Sequence, residues 1–221
     1  MASQVAWISQ GWQALIGIVD YGLGNVQAIA NIYARLGIPA MPVRDPSEIG
    51  TAHGLILPGV GSFDWAIRLL DASGMRSALE EAVQVRRQPV LGICVGFQMM
   101  ARESQEGVLR GLGWLGGHVR RFEEVRSERR VQLPHMGWND AMGTQPSALL
   151  DGLERPMRFY FLHSYYFVPD RAEEVLLSTD YFGSFCSAAV CGNVMGVQFH
   201  PEKSHHWGVG LLRNFAERVA C

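Results

Sequence analysis

The sequence predicts an α/β fold: one domain with a mostly parallel central sheet, helices on both faces, and antiparallel strands added in the second half. Three observations predict it. The first hundred residues alternate short apolar runs with amphipathic segments in a β-α-β-β-α-β-α rhythm. Those runs are continuously apolar rather than alternating, as strands covered on both faces are. The second half instead strings strand-like runs together with few helices between them, which suits antiparallel pairing.

The elements follow in order. Residues 14–20 (ALIGIVD) read as a buried strand. Residues 25–36 read as a helix, with Asn25 the N-cap and Gly37 the C-cap. Residues 39–44 form a second strand and 54–57 a third, closed by Pro58. Residues 64–85 are helical with a break near Ser73 and Gly74, 89–93 (PVLGI) are a fourth strand, and 95–103 a helix. Strand-like runs then occupy 119–124, 131–134, 157–162, 175–179, 185–190 and 194–199, and an amphipathic helix at 208–219 closes the chain. The charge-rich tract 120–130 carries both signs and reads as a solvated hairpin. There is no repeat, low-complexity run or linker. Residues 13–221 are therefore one domain, and 1–12 an N-terminal extension, the part most prone to disorder.

Composition narrows the function. A chain of 221 residues buries about 70% of its unfolded surface, so neither disulfide nor metal is needed to hold it. With 48% hydrophobic and 18% charged residues it is globular rather than disordered. A net charge of −2 gives no electrostatic reason to expect nucleic acid or an anionic membrane. No apolar stretch approaches the roughly 20 residues of a membrane span. Residues 1–12 lack the Lys or Arg of a secretory signal. Cys94, Cys186, Cys191 and Cys221 are too irregular for a disulfide framework or a Cys-x-x-Cys metal site. A reducing cytoplasm and no cofactor are expected.

The chemistry concentrates in three places. Gly92-Ile93-Cys94-Val95-Gly96 lies between an apolar run and a helical segment, the pattern of a strand-to-helix elbow carrying a nucleophile. Such a turn lifts Cys94 to a helix N-terminus, where the dipole favours thiolate. His200-Pro201-Glu202 follows another apolar run. Pro201 biases His200 to extended backbone, where residues i and i+2 share a side, so Glu202 can fix the imidazole of His200. Pro58-Gly59-Val60-Gly61 follows the third strand. Its backbone N–H groups, with that of Val95, suit an oxyanion. All three places lie just after strands, where α/β sheets put their sites.

Two competing patterns are weaker. Gly22-Leu23-Gly24 with the later Asp45 imitates a dinucleotide fingerprint, but Gln27 stands where a third glycine is needed. His200, Glu202, His205 and His206 could suggest a metal, yet adjacent histidines share one ion poorly and no H-E-x-x-H spacing exists.

GICVGFQ, PGVG and GVQFHPEKS together resemble class I glutamine amidotransferases, over residues 15–217. DYGLGN (20–25), LPHMGWN (133–139) and FLHSYY (161–166) resemble, within that family, the glutaminase subunits of imidazole glycerol phosphate synthase. The resemblance implies a class I amidotransferase domain with a Cys94-His200-Glu202 triad that hydrolyses glutamine through a γ-glutamyl thioester. It implies oxyanion contacts from Gly59, Val60 and Val95, and glutamine contacts from Gln98, His163, Ser164 and Tyr165. It further implies a heterodimer with a cyclase subunit, met by Met136, Trp138, Asn139 and Lys203, to which ammonia is channelled for histidine biosynthesis. A paralogous subunit feeding another synthase shares these catalytic residues and remains the alternative. Val95 replaces a frequent leucine, and EGVLRGLG (106–113) departs from the usual glycine-rich form, which weakens glutamine contacts there. A stand-alone cysteine hydrolase would need no partner. A non-catalytic regulator would lack a triad member, and all three are present.

Overall fold

The computed structural model describes residues 14–123, 125–126 and 129–220; the extension at 1–12 and Cys221 lie outside these. The apolar runs of the first half form β1 (Ile16–Val19), β2 (Ala40–Val43), β3 (Gly54–Gly59) and β4 (Val90–Cys94). β1, β3 and β4 are buried at every position, as double-sided cover requires. Helices α1 (Val26–Leu36), α2 (Phe63–Ala72) and α3 (Arg76–Glu80) connect them, and α4 (Val95–Met99) follows β4. Gly37 ends α1 in the left-handed region, the expected C-cap.

The second half supplies β5 (Gly117–Arg121), β6 (Val125–Arg126), β7 (Arg129–Arg130), β8 (His135–Gly143), β9 (Met157–His163), β10 (Tyr165–Pro169), β11 (Val175–Asp180), β12 (Ser184–Cys191) and β13 (Val194–Val197), then α5 (His205–Ala220). Among the described residues one nine-stranded sheet runs β2-β1-β3-β4-β13-β12-β11-β8-β9. Its first five strands are parallel and the remaining pairings antiparallel, as the sequence predicts. β5 pairs with β10 in a smaller sheet, and β6 with β7 in the expected hairpin.

Four local expectations are corrected. Pro58 does not close β3, which continues to Gly59 beside Cys94 of β4. Its β1 neighbour pairs only as far as Ile56, so beyond that point a residue lacking an N–H is tolerated. The helix after Cys94 ends at Met99 rather than residue 103. The returning segment intervenes: Leu112 N–H bonds the Met99 carbonyl (2.7 Å), and Arg102 N–H turns to Gly117 O (3.1 Å). Residues 131–134 are not a strand; the strand is β8, and its turn-forming Gly137, Asn139 and Asp140 hid it. The run 165–169, expected only as core aromatics, is β10.

Candidate active site

Cys94 is the last residue of β4 and adopts φ +54, ψ −113. A side chain is rarely held there, at a cost of about 1–3 kcal/mol. Its neighbours show what holds it. A Cβ on Gly92 would lie 2.7 Å from Phe97 Cα, and one on Gly96 only 1.9 Å from the Leu57 carbonyl oxygen. The elbow therefore needs glycines against the helix start and against β3, rather than against each other. A Cβ on Gly59 would meet Gly96 N at 2.3 Å, so the two chain ends carrying the expected oxyanion donors, Gly59-Val60 and Val95, are in contact. Gly96→Ala should cost roughly 1–3 kcal/mol of stability, read as a lowered urea midpoint; an unchanged midpoint would mean that the elbow yields freely. Because α4 is five residues long, the helix field expected at Cys94 reduces to one turn of N–H groups.

β13 leads to His200. Residues 200–202 are not extended as expected: His200 caps a 3-10 turn, Pro201–Lys203, with only His200 itself in the extended region. The turn still brings the pair together, with His200 Nδ1 2.9 Å from Glu202 Oε1, and both side chains are almost fully buried. Ser204 locks it, donating to the His200 carbonyl (2.6 Å) and accepting from Tyr160 N–H (3.0 Å). Burial alone would lower the His200 pKa. Hydrogen bonds to Cys94 and Glu202, with their charges, outweigh it and push the imidazole up to about 10. Burial likewise opposes ionisation of Glu202, but His200 and Asn25 bring its pKa below the ordinary value. The pair is thus built to hold an imidazolium beside the thiol. Cys186, by contrast, is pushed up to about 12 by burial, an inert thiol.

A hydrogen-bonded chain runs beneath the nucleophile. His163 Nδ1 lies 2.9 Å from the Tyr165 carbonyl, so this nitrogen donates. Burial lowers the His163 pKa to about 3 and that of His135 to about 4, so both rings are neutral at pH 7 and each has one donor and one acceptor. His163 Nε2 then accepts from His135 Nδ1 (3.0 Å), and His135 Nε2 accepts from Asn139 Nδ2 (3.2 Å). Gln98 Nε2 also donates to the Tyr165 carbonyl (2.8 Å) and to Gln198 Oε1 (3.0 Å). Gln198 Nε2 lies 3.8 Å from Cys94 Sγ. Both N–H groups of Gln98 and both ring nitrogens of His163 are therefore engaged within the protein, leaving the Gln98 carbonyl oxygen to meet a ligand. The Ser164 carbonyl accepts from Phe122 N–H (3.1 Å).

On the outer face of β8 and β9, Met136, Trp138, Met142 and Leu162 are exposed. Trp138 stacks on His205 at 5.0 Å, and Lys203 Nζ lies 5.6 Å from the Tyr160 ring centre. Strand alternation puts Asn139 on the other face, with His135, where its amide also bonds the Asp180 carbonyl. Sequence reasoning missed Gln198, His135 and the use made of Asn25. The one available signal was a glutamine at the end of the apolar run VMGVQF. His205 and His206 pack on Trp138 and Trp207, and no cluster of metal-ligating side chains occurs among the described residues. No described helix is long and apolar enough to cross a membrane.

The family described as glutamine amidotransferase class-I matches residues 17–219, and the chain belongs to it. Among curated relatives, the imidazole glycerol phosphate synthase subunit HisH of Bdellovibrio bacteriovorus is 52% identical over 203 residues, covering 92% of this chain and all of the relative. That of Leptospira interrogans is 45% identical over 202 residues, covering 91% and 99%. A solved structure titled glutamine amidotransferase shares the fold at TM-score 0.71 and 21% identity, covering 93% of this chain and 99% of its own.

Proposed function

We propose that the chain is the glutaminase subunit of an imidazole glycerol phosphate synthase, working through Cys94, His200 and Glu202. The carrying observation is that β9 joins two features. Leu162 is exposed in the apolar patch, while its carbonyl lies 3.9 Å from Cys94 Sγ, so a partner on the patch would sit directly over the nucleophile.

With the thiol proton held on His200, the Cys94 thiolate attacks the side-chain amide carbon of glutamine, and the oxyanion meets the N–H groups of Val60 and Val95. The C–N bond breaks as His200 gives its proton to the departing ammonia. His200 then takes a proton from water, whose oxygen attacks the thioester; the C–S bond breaks and glutamate leaves. Glu202 holds the imidazole in the tautomer that serves both steps. Glutamine lies against Gln98 and the His163-Ser164-Tyr165 stretch. Ammonia set free into water at neutral pH would be protonated and lose its nucleophilicity, so a cyclase subunit seated on Met136, Trp138 and Lys203 receives it through a protected path. Glutamine hydrolysis, measured with and without a candidate cyclase and its nucleotide ligand, should rise strongly with both. An unchanged rate would leave a glutaminase with a different acceptor synthase.

A further inference from the structure

We propose that Asn25 is a positioning residue for Glu202, so that the β1–α1 loop holds the carboxylate end of the triad. The proposal rests on the Cys94-His200-Glu202 reading above and extends it by one member. Asn25 stands where a helix N-cap belongs, yet its side chain makes no capping bond. Its Nδ2 donates instead to Glu202 Oε1 at 2.9 Å, the same oxygen that faces His200 Nδ1 at 2.9 Å. The other carboxylate oxygen, Oε2, is buried with no hydrogen-bond partner. Rotating the carboxylate would exchange a doubly bonded oxygen for an unbonded one, so the Asn25 amide helps fix which oxygen meets the imidazole. A residue suited to capping is thus diverted to a contact 177 positions away in sequence.

The loop is built to hold Asn25 still. Gly24, at φ +95, presses on Pro58 so closely that a Cβ would lie 2.6 Å from Pro58 Cβ. The buried Tyr21 hydroxyl donates to the Pro58 carbonyl at 2.9 Å. One loop therefore braces the root of the glycine loop after β3 and the acid of the triad together. The groups facing Glu202 are His200 on its own turn and Asn25; Arg35 of α1 lines the same cleft without contributing to the carboxylate's shift, and Lys203 is turned outward over Tyr160.

Asn25→Ala and Asn25→Asp test this in the full chain. Losing a hydrogen bond to a charged group should lower kcat for glutamine about tenfold in the alanine variant, with KM little changed. The acid limb of kcat/KM should move to higher pH, because Glu202 loses a donor that favours its charged form, and further in the aspartate variant, where two carboxylates repel. Some loss of thermal stability accompanies the alanine variant, because a bond to a buried carboxylate is removed, so the pH profiles rather than the melting temperature carry the test. A second readout needs no glutamine: the pH dependence of Cys94 alkylation by iodoacetamide, followed on the Cys94 peptide by mass spectrometry, should move in the same direction. If the parent protein releases no glutamate even with a cyclase and its nucleotide ligand present, the glutaminase reading fails, and alkylation still decides the role of Asn25. Parent-like pH profiles in both variants, with or without a lowered melting temperature, would overturn the proposal.

Discussion

Cys94→Ala should lower glutamine hydrolysis on the order of a thousandfold or more while the protein still folds. Undiminished glutamate release would show the triad assignment to be wrong. A companion variant separates chemistry from strain. At an ordinary buried position glycine is less stable than alanine by roughly 0.5–1 kcal/mol, because it loses more backbone freedom on folding. Position 94 is at φ +54, where a Cβ is disfavoured and glycine is not. The usual order should therefore invert, with Cys94→Gly melting above Cys94→Ala by about 1 kcal/mol, or ~2–4 °C for a chain of this size. Both variants should be equally inactive. If alanine proved the more stable, the elbow would not be storing strain at the nucleophile. What holds Cys94 there is the packing of Gly92, Gly96 and Gly59 against backbone, so the strain belongs to the scaffold and outlasts removal of the sulfur.

The features legible in the sequence are those that a local rule determines. Gly92 and Gly96 around Cys94, Pro201 after His200, and Gly37 after α1 each answer a backbone requirement within a few residues. Continuous apolar runs gave the parallel strands for the same reason. What was hidden depends on contacts far apart in the chain. β8 is written in turn-forming residues and is a strand because β9 pairs with it over its first seven positions. The end of α4 is set by a segment that returns more than ten residues later. Asn25 looked like a cap, since nothing nearby reveals that Glu202 waits across the fold. Asn139 was expected beside Met136 and Trp138; without β8 recognised as a strand, the alternation that turns it inward could not be applied. His135 and His163 are opposite each other on β8 and β9, a pairing visible only once the register is known.

That histidine pair predicts a fall in stability on acidification, starting at mild pH. Both rings are neutral in the folded protein, with pKa values lowered by burial to about 4 for His135 and about 3 for His163, against 6.5 unperturbed. A lowered folded pKa means that the unfolded chain binds the proton first. The contribution is complete above pH 6.5 and is lost as pH falls toward 4, at up to about 1.4 kcal/mol per pH unit for each ring. Among the other shifted groups only Glu106 acts inside this window, where it offsets part of the decline. His200, raised in the fold, contributes fully below 6.5 and loses its share only on the alkaline side. Glu202, lowered in the fold, contributes fully above 4.5. Glu106 is raised by burial and acts in the opposite sense, near and above 4.5. Urea unfolding between pH 6.5 and 4.5 should therefore show a declining midpoint in the parent protein. In His135→Gln, whose amide can still donate to His163 and accept from Asn139, the decline should be about halved, although loss of stacking on Tyr181 and Phe161 lowers stability at every pH. A flat midpoint in the parent would mean that the rings are not held neutral. The consequence reaches the site. Protonating His163 puts a donor on both nitrogens, so its Nε2 can no longer accept from His135, and the ordered chain to the Tyr165 carbonyl breaks. The new positive charge also faces His200 and opposes the imidazolium there. A neutral pair is therefore the state in which both the fold and the triad charge are stable; the fold loses support from pH 6.5 downward, whereas the triad meets the added charge only near pH 3, where His163 itself titrates in the folded protein.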